Sequence, residues 1–206
     1  RDRDHALGLH PPAAQILSTG VAGPFCGRLL AGLTLNVFPA EAKCASEEHT
    51  RETVQEFLND TLSKGVIGGA AYMTVHPRAA RIALQMLPDT WLVGMVLMNM
   101  NCPQYLRTNE ETLEQDIRSL ANEFGKRFIV TDRFAVSVDS PLRQRCAKLA
   151  KELGLRMQTH LNEQIGEKQF VEKTLYPDAK SYTDVYLRDG LMERTPILAH
   201  CIHTQA

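Results

Sequence analysis

The chain has 206 residues, 44% of them hydrophobic and 23% charged, with a formal net charge of −1. That length supports one sizeable core, and the near-neutral balance excludes the basic footprint of a nucleic-acid binder or of a protein held on an anionic membrane. No run approaches the roughly 18 apolar residues of a membrane span, and no signal peptide is expected. The cysteines Cys26, Cys44, Cys102, Cys146 and Cys201 are scattered and form no CxxC pair. Reduced thiols in a cytoplasmic protein are therefore expected.

Residues 1–45 read as an irregular N-terminal segment, with Gly and Pro punctuating "HPPAAQ", "GVAGPFCG" and "VFPAEAK". From residue 46 the pattern becomes regular. Ser46 is the expected N-cap of an amphipathic helix with Val54, Phe57, Leu58 and Leu62 as its stripe and Gly65 as its stop. "VIGGAAYMTV" reads as a strand, "PRAARIALQML" as a helix with proline in its first turn, and "WLVGMVLMN" as a buried strand. Thr108 and Glu111 have the spacing of a capping box before a helix that ends at Gly125. "RFIVTDRF" is the next strand. "SPLRQRCAKLAKELG" is a helix with Ser140 as N-cap and Gly154 past its end. "LRMQTHL" is a strand, "EKQFVEKTLY" and "SYTDVYLRDG" are helices, and "TPILAHC" is the last strand.

Five continuous apolar strands thus fall near 66–75, 91–99, 127–134, 155–161 and 196–201, separated by helices. Strands without alternation are buried on both faces, so the sheet should be parallel with helices outside. A full (β/α)₈ barrel has eight strands, which leaves a doubly wound sheet or part of a barrel.

In either fold the chemistry collects where strands end. His76, Arg133 with Phe134, His160 with Glu163, and His200 with His203 stand at those ends. A lone histidine on an apolar strand is more often structural. Two that end consecutive strands, one followed three residues on by a carboxylate, suit a metal site with an adjacent proton shuttle.

The segments "VFPAEAK", "MTVHP", "VLMNMN", "DRFAVS", "MQTHLNE", "YPDAKSYTDVYLRDGLM" and "ILAHCIH", in this order, resemble the guanine deaminase branch of the amidohydrolase superfamily. The resemblance implies an α/β fold, a parallel (β/α) barrel of which this chain carries about five or six units over residues 46–206. It implies an enzyme that hydrolyses guanine to xanthine and ammonia with one divalent metal, zinc or alternatively iron. It places His160 and His200 as metal ligands, Glu163 as the general acid/base, Arg133 on the carbonyl edge of the purine and Phe134 in the pocket wall. A guanidinium fork does match the O6/N7 acceptors of guanine. Simpler roles for the last two are a surface ion pair for Arg133 and core packing for Phe134. His76 matches a family position without a chemical role, and His203 reads as a loop residue. The other zinc-deaminase signature, H-x-E with P-C-x-x-C, is absent.

The family's first two metal ligands form an H-x-H pair followed by a purine-reading glutamine. Here the start is "RDRDHALGLHPPAAQ", so His10 would be a ligand with Gly8 in the place of its partner, and Gln15 would be the substrate-binding glutamine. The family's aspartate ligand after strand eight has no counterpart in the 206 residues. By that count the chain alone is expected to bind metal weakly and turn over little or nothing. A homodimer that binds a small purine is expected. The alternatives are a non-catalytic scaffold of amidohydrolase type and a deaminase of another heterocycle, such as a pterin or triazine.

Overall fold

The computed structural model describes residues 33–204. Five parallel strands form one sheet: β1 (Gly69–Tyr72), β2 (Trp91–Leu97), β3 (Phe128–Asp132), β4 (Met157–Leu161) and β5 (Ile197–His200). Each pairs with its neighbour in sequence, in the order β1-β2-β3-β4-β5. A doubly wound sheet reverses strand order at a switch point, and this one never does. The architecture is the wall of a partial (β/α) barrel, and every strand lies inside its expected range. Trp91, Val93, Leu97 and Phe128 are fully buried, as strands covered on both faces require.

The helices largely follow the sequence signals. Helix α1 is Phe38–Ala42 and α2 is Glu47–Ser63. Ser46 caps α2, its hydroxyl accepting from the His49 amide at 3.4 Å. The buried stripe of α2 is Thr50, Thr53, Val54, Phe57 and Thr61; Leu62, expected in it, is 49% exposed. At 3.6 residues per turn Thr61 falls under Phe57 and Leu62 does not. The threonines are tolerated there because Thr50 and Thr61 donate to the Ser46 and Phe57 carbonyls at 2.8 and 2.9 Å.

Helix α3 is Pro77–Met86 and α4 is Leu113–Phe124. The expected Thr108/Glu111 capping box does not form. The Thr108 hydroxyl instead accepts from the Met98 amide at 2.9 Å, and its amide donates to the Met98 carbonyl at 2.7 Å. Those bonds pin the loop to the end of β2, and α4 starts later. Helix α5 is Ser140–Leu153, capped by Asp139 rather than by Ser140. Its carboxylate accepts from the Leu142 amide at 2.9 Å, and a negative charge suits a helix N-terminus better than a hydroxyl. Helix α6 (Ile165–Phe170) runs into a π-helical turn, Val171–Leu175, and α7 (Tyr182–Arg188) is capped by Ser181.

Within the segment read as irregular, residues 33–45 are helical: a π-turn over Leu33–Val37, then α1, then a 3-10 turn over Lys43–Ala45. Pro39 suits the first turn of α1, and Val37 and Phe38 are buried in the core. Among the described residues no helix is long and apolar enough to cross a membrane.

Candidate active site at the strand ends

The barrel interior below the site is polar and tightly packed. Residues in register on parallel strands share a face, so the pairs Tyr72↔Gly94, Gly94↔Ile129, Thr131↔Gln158 and His160↔Ala199 mark the inner side. The Gln158 amide donates to the Thr131 hydroxyl at 2.8 Å and to the Ala71 carbonyl at 3.2 Å, which ties β1, β3 and β4 together. Gly94 makes room for this layer, since a Cβ there would lie 1.6 Å from Thr131 Oγ1.

His160 stands one step above Gln158 on the same face. Its Nδ1 lies 2.6 Å from the Arg133 carbonyl oxygen. A carbonyl only accepts, so Nδ1 carries the proton, and Nε2 is the nitrogen left for a metal when the ring is neutral. A backbone carbonyl fixing the tautomer in this way is the usual support of a metal-ligating imidazole. The Tyr72 ring packs on the other side at 4.2 Å between centroids.

His200 reaches the same place by breaking the strand. Register puts Ala199, not His200, opposite His160. His200 and Cys201 have φ of 71° and 55°, in the left-handed region that non-glycine residues avoid. The turn brings the His200 ring parallel to that of His160, 5.4 Å between centroids. Strain of this kind gathers at functional sites. Burial also holds the His200 imidazole below its ordinary pKa, hence neutral and able to ligate.

Glu163 follows β4. Its backbone is fixed by Glu167, whose carboxylate accepts from the Glu163 and Gln164 amides at 3.0 and 3.2 Å. Its own Oε2 lies 3.5 Å from His200 Nε2. Burial, reinforced by the charge of Glu167 and opposed by that of Arg133, pushes its pKa up to about 7. A carboxyl poised there exchanges protons in either direction at neutral pH.

Arg133, two residues beyond Thr131, does form an ion pair, but a buried one rather than the expected surface pair, and its partner is Glu41. Its Nη1 donates to both oxygens of Glu41, at 2.7 and 2.9 Å, and its guanidinium lies 5.4 Å from the Phe38 ring centroid. Phe134 is also buried, its ring edge-on to His160 at 6.4 Å. Behind this strand end, the fully buried Arg143 joins Asp132 and Asp189, both at 2.5 Å. No sequence signal marks that cluster, because Arg143 sits on a helix whose pattern predicts only an apolar face.

The structure thus brings together His160, His200, Glu163, Arg133 and Phe134. His76 lies elsewhere, lining a cleft of about 260 Å³ with Met95, Tyr105 and Asp116. His203 is a loop residue whose amide donates to the Asn162 carbonyl at 3.0 Å. A cavity of about 730 Å³ lined by Leu92, Arg156 and Arg194 opens at the opposite end of the strands. His10 and Gln15 lie outside the described residues. Two imidazoles fit a divalent metal, but among the described residues no group of three or more His, Cys, Asp or Glu side chains is arranged to hold one.

No protein-family model matches the chain. The chain is 30% identical over 189 residues to the guanine deaminase of Homo sapiens, matching 86% of itself and 41% of that protein. It is 29% identical over 206 residues to the guanine deaminase of Escherichia coli (strain K12), matching 96% of itself and 45% of that protein. Among solved structures, it superposes on a guanine deaminase from C. acetobutylicum with guanine bound in the active site, with a TM-score of 0.86 and 29% identity. That match covers 97% of this chain and 49% of the other. The chain therefore spans less than half the length of these relatives.

Proposed function

We propose, for a chain homologous to guanine deaminases over most of its own length, that this strand-end cluster is a site for the hydrolytic deamination of guanine to xanthine and ammonia. The observation that carries the reading is the meeting of His160, His200, Glu163 and Arg133 at one end of a parallel barrel wall. His160, through Nε2, and His200 would hold a divalent metal, with zinc as the proposed ion and His10 as the proposed third ligand. When bound, zinc supplies the Lewis acidity that makes water nucleophilic near neutral pH.

The rest falls to the chain's own groups. Glu163, titrating near pH 7, takes a proton from the attacking water and returns it to the purine or to the departing ammonia. Arg133 donates to the carbonyl edge of the ring, Gln15 reads a second edge, and Phe134 closes the wall. Partial burial of Glu163 and His200 lowers the dielectric around them, which strengthens each of these interactions. The cytoplasm is the proposed compartment and a homodimer the proposed assembly.

A non-catalytic scaffold is the second reading, favoured by the lack of a third metal ligand among the described residues. The two separate by product analysis. The zinc-supplied protein is incubated with guanine, a pterin and a triazine, and products are resolved by chromatography. Equal amounts of xanthine and ammonia from guanine are expected. Product from a pterin or triazine alone would move the site to another heterocycle, and none from any of the three would favour the scaffold.

A further inference from the structure

Glu41 belongs to α1, far from the barrel strands in sequence, yet it is fully buried and its only described partner of opposite charge is Arg133. Both carboxylate oxygens converge on one nitrogen, Nη1, at 2.7 and 2.9 Å. A freely chosen pair between guanidinium and carboxylate is a fork, with two nitrogens meeting two oxygens. The single-nitrogen grip here engages Nη1 alone. Among the described residues every side-chain hydrogen bond of Arg133 leaves from Nη1, including a contact to Met98 Sδ at 3.5 Å. The Phe38 ring lies against the guanidinium at 5.4 Å. The cation is thus held in orientation by α1 and the end of β2, and its charge is balanced before any ligand arrives.

From this geometry we infer that Glu41 is a positioning residue. It anchors Nη1 so that the other edge of the Arg133 guanidinium, Nη2 with Nε, is presented as a fixed pair of donors to the carbonyl edge of an uncharged oxo-heterocycle. The inference rests on the proposed role of Arg133 in ligand binding. It adds that the site recognises a neutral ring rather than an anion, because Glu41 already neutralises the guanidinium. A phosphate or carboxylate ligand would have to compete with a buried carboxylate for the same cation.

The test compares two ligands of the same ring size, guanine and 2-aminopurine, which lacks the carbonyl. Affinities are measured by equilibrium dialysis on the full chain. Glu41→Gln keeps the shape but releases the guanidinium. It should weaken guanine by about tenfold or more, the scale of a hydrogen bond to a charged group, and 2-aminopurine by less than about twofold. Equal weakening of both ligands would mean a merely structural role and would overturn the inference. A second reading needs no ligand. The Arg133 Nη signals in ¹⁵N NMR should be resolved in the parent and averaged in Glu41→Gln; resolved signals in both would overturn it. Failure of guanine to bind the parent chain would count against the proposed function, while the NMR comparison would still decide whether Glu41 positions Arg133. If Glu41→Gln does not fold, the double change Glu41→Leu with Arg133→Met replaces the buried pair by apolar groups, a swap that folded proteins often tolerate. It should bind guanine no more tightly than 2-aminopurine. Retention of the parent's preference would refute the inference.

Discussion

Glu163→Gln tests the electrostatics of the site without any catalysis. In the folded chain the Glu163 carboxyl titrates at about 7 instead of its ordinary 4.5, chiefly because it is buried and secondly because Glu167 repels its charge. Between those two pH values the folded state holds more protons than the unfolded one. Stability must therefore fall as pH rises through that window. At about 1.36 kcal/mol per pH unit, the carboxylate costs the folded chain about 3 kcal/mol by pH 8 and almost nothing at pH 4. Glutamine has the same shape and does not titrate. The stability of Glu163→Gln relative to the parent should therefore rise by about 3 kcal/mol between pH 4 and pH 8. Urea denaturation followed by circular dichroism, on metal-free protein at several pH values, measures this. A difference that stays flat with pH would refute the argument that burial has raised this carboxyl.

Two further substitutions probe the frame that carries the site. Gly94→Ala places a methyl 1.6 Å from Thr131 Oγ1 and 2.6 Å from Gln158 Nε2; it should cost about 3 kcal/mol or more through overpacking, read as a fall in the urea midpoint. Arg143→Met leaves Asp132 and Asp189 buried without their shared cation. It should cost about 3–5 kcal/mol, and the added replacement Asp132→Asn should recover part of that loss in the same assay.

The sheet was legible in the sequence because its signals are local. Continuous apolar runs between helices, with Gly154 and Gly65 as stops, fix parallel strands whatever their partners. What was not legible depended on contacts across the fold. Asp139 displaces Ser140 as a cap by chemistry that a motif reading ranks only loosely, and Thr108 is drawn from its expected helix to the end of β2. The site was legible as residues but not as geometry. His160 and Glu163 stand close in sequence, so their shared place at the end of β4 could be read directly. His200 faces His160 only because the backbone turns left-handed there, a feature for which histidine carries no signal. Glu41 lies in "VFPAEAK", 92 residues from its partner, with no local pattern that marks it. A buried carboxylate far from its guanidinium leaves no trace in periodicity or spacing.

In the proposed function Glu163 moves the proton in guanine hydrolysis at this site. The initial rate of xanthine formation from guanine by the zinc-supplied chain, set against the same rate for Glu163→Gln, tests it most directly. If Glu163 has that role, the parent forms xanthine and the variant does so about 10²–10⁴-fold more slowly, the range for loss of a general acid/base. Equal rates, or no xanthine from the folded, zinc-supplied parent, would contradict it.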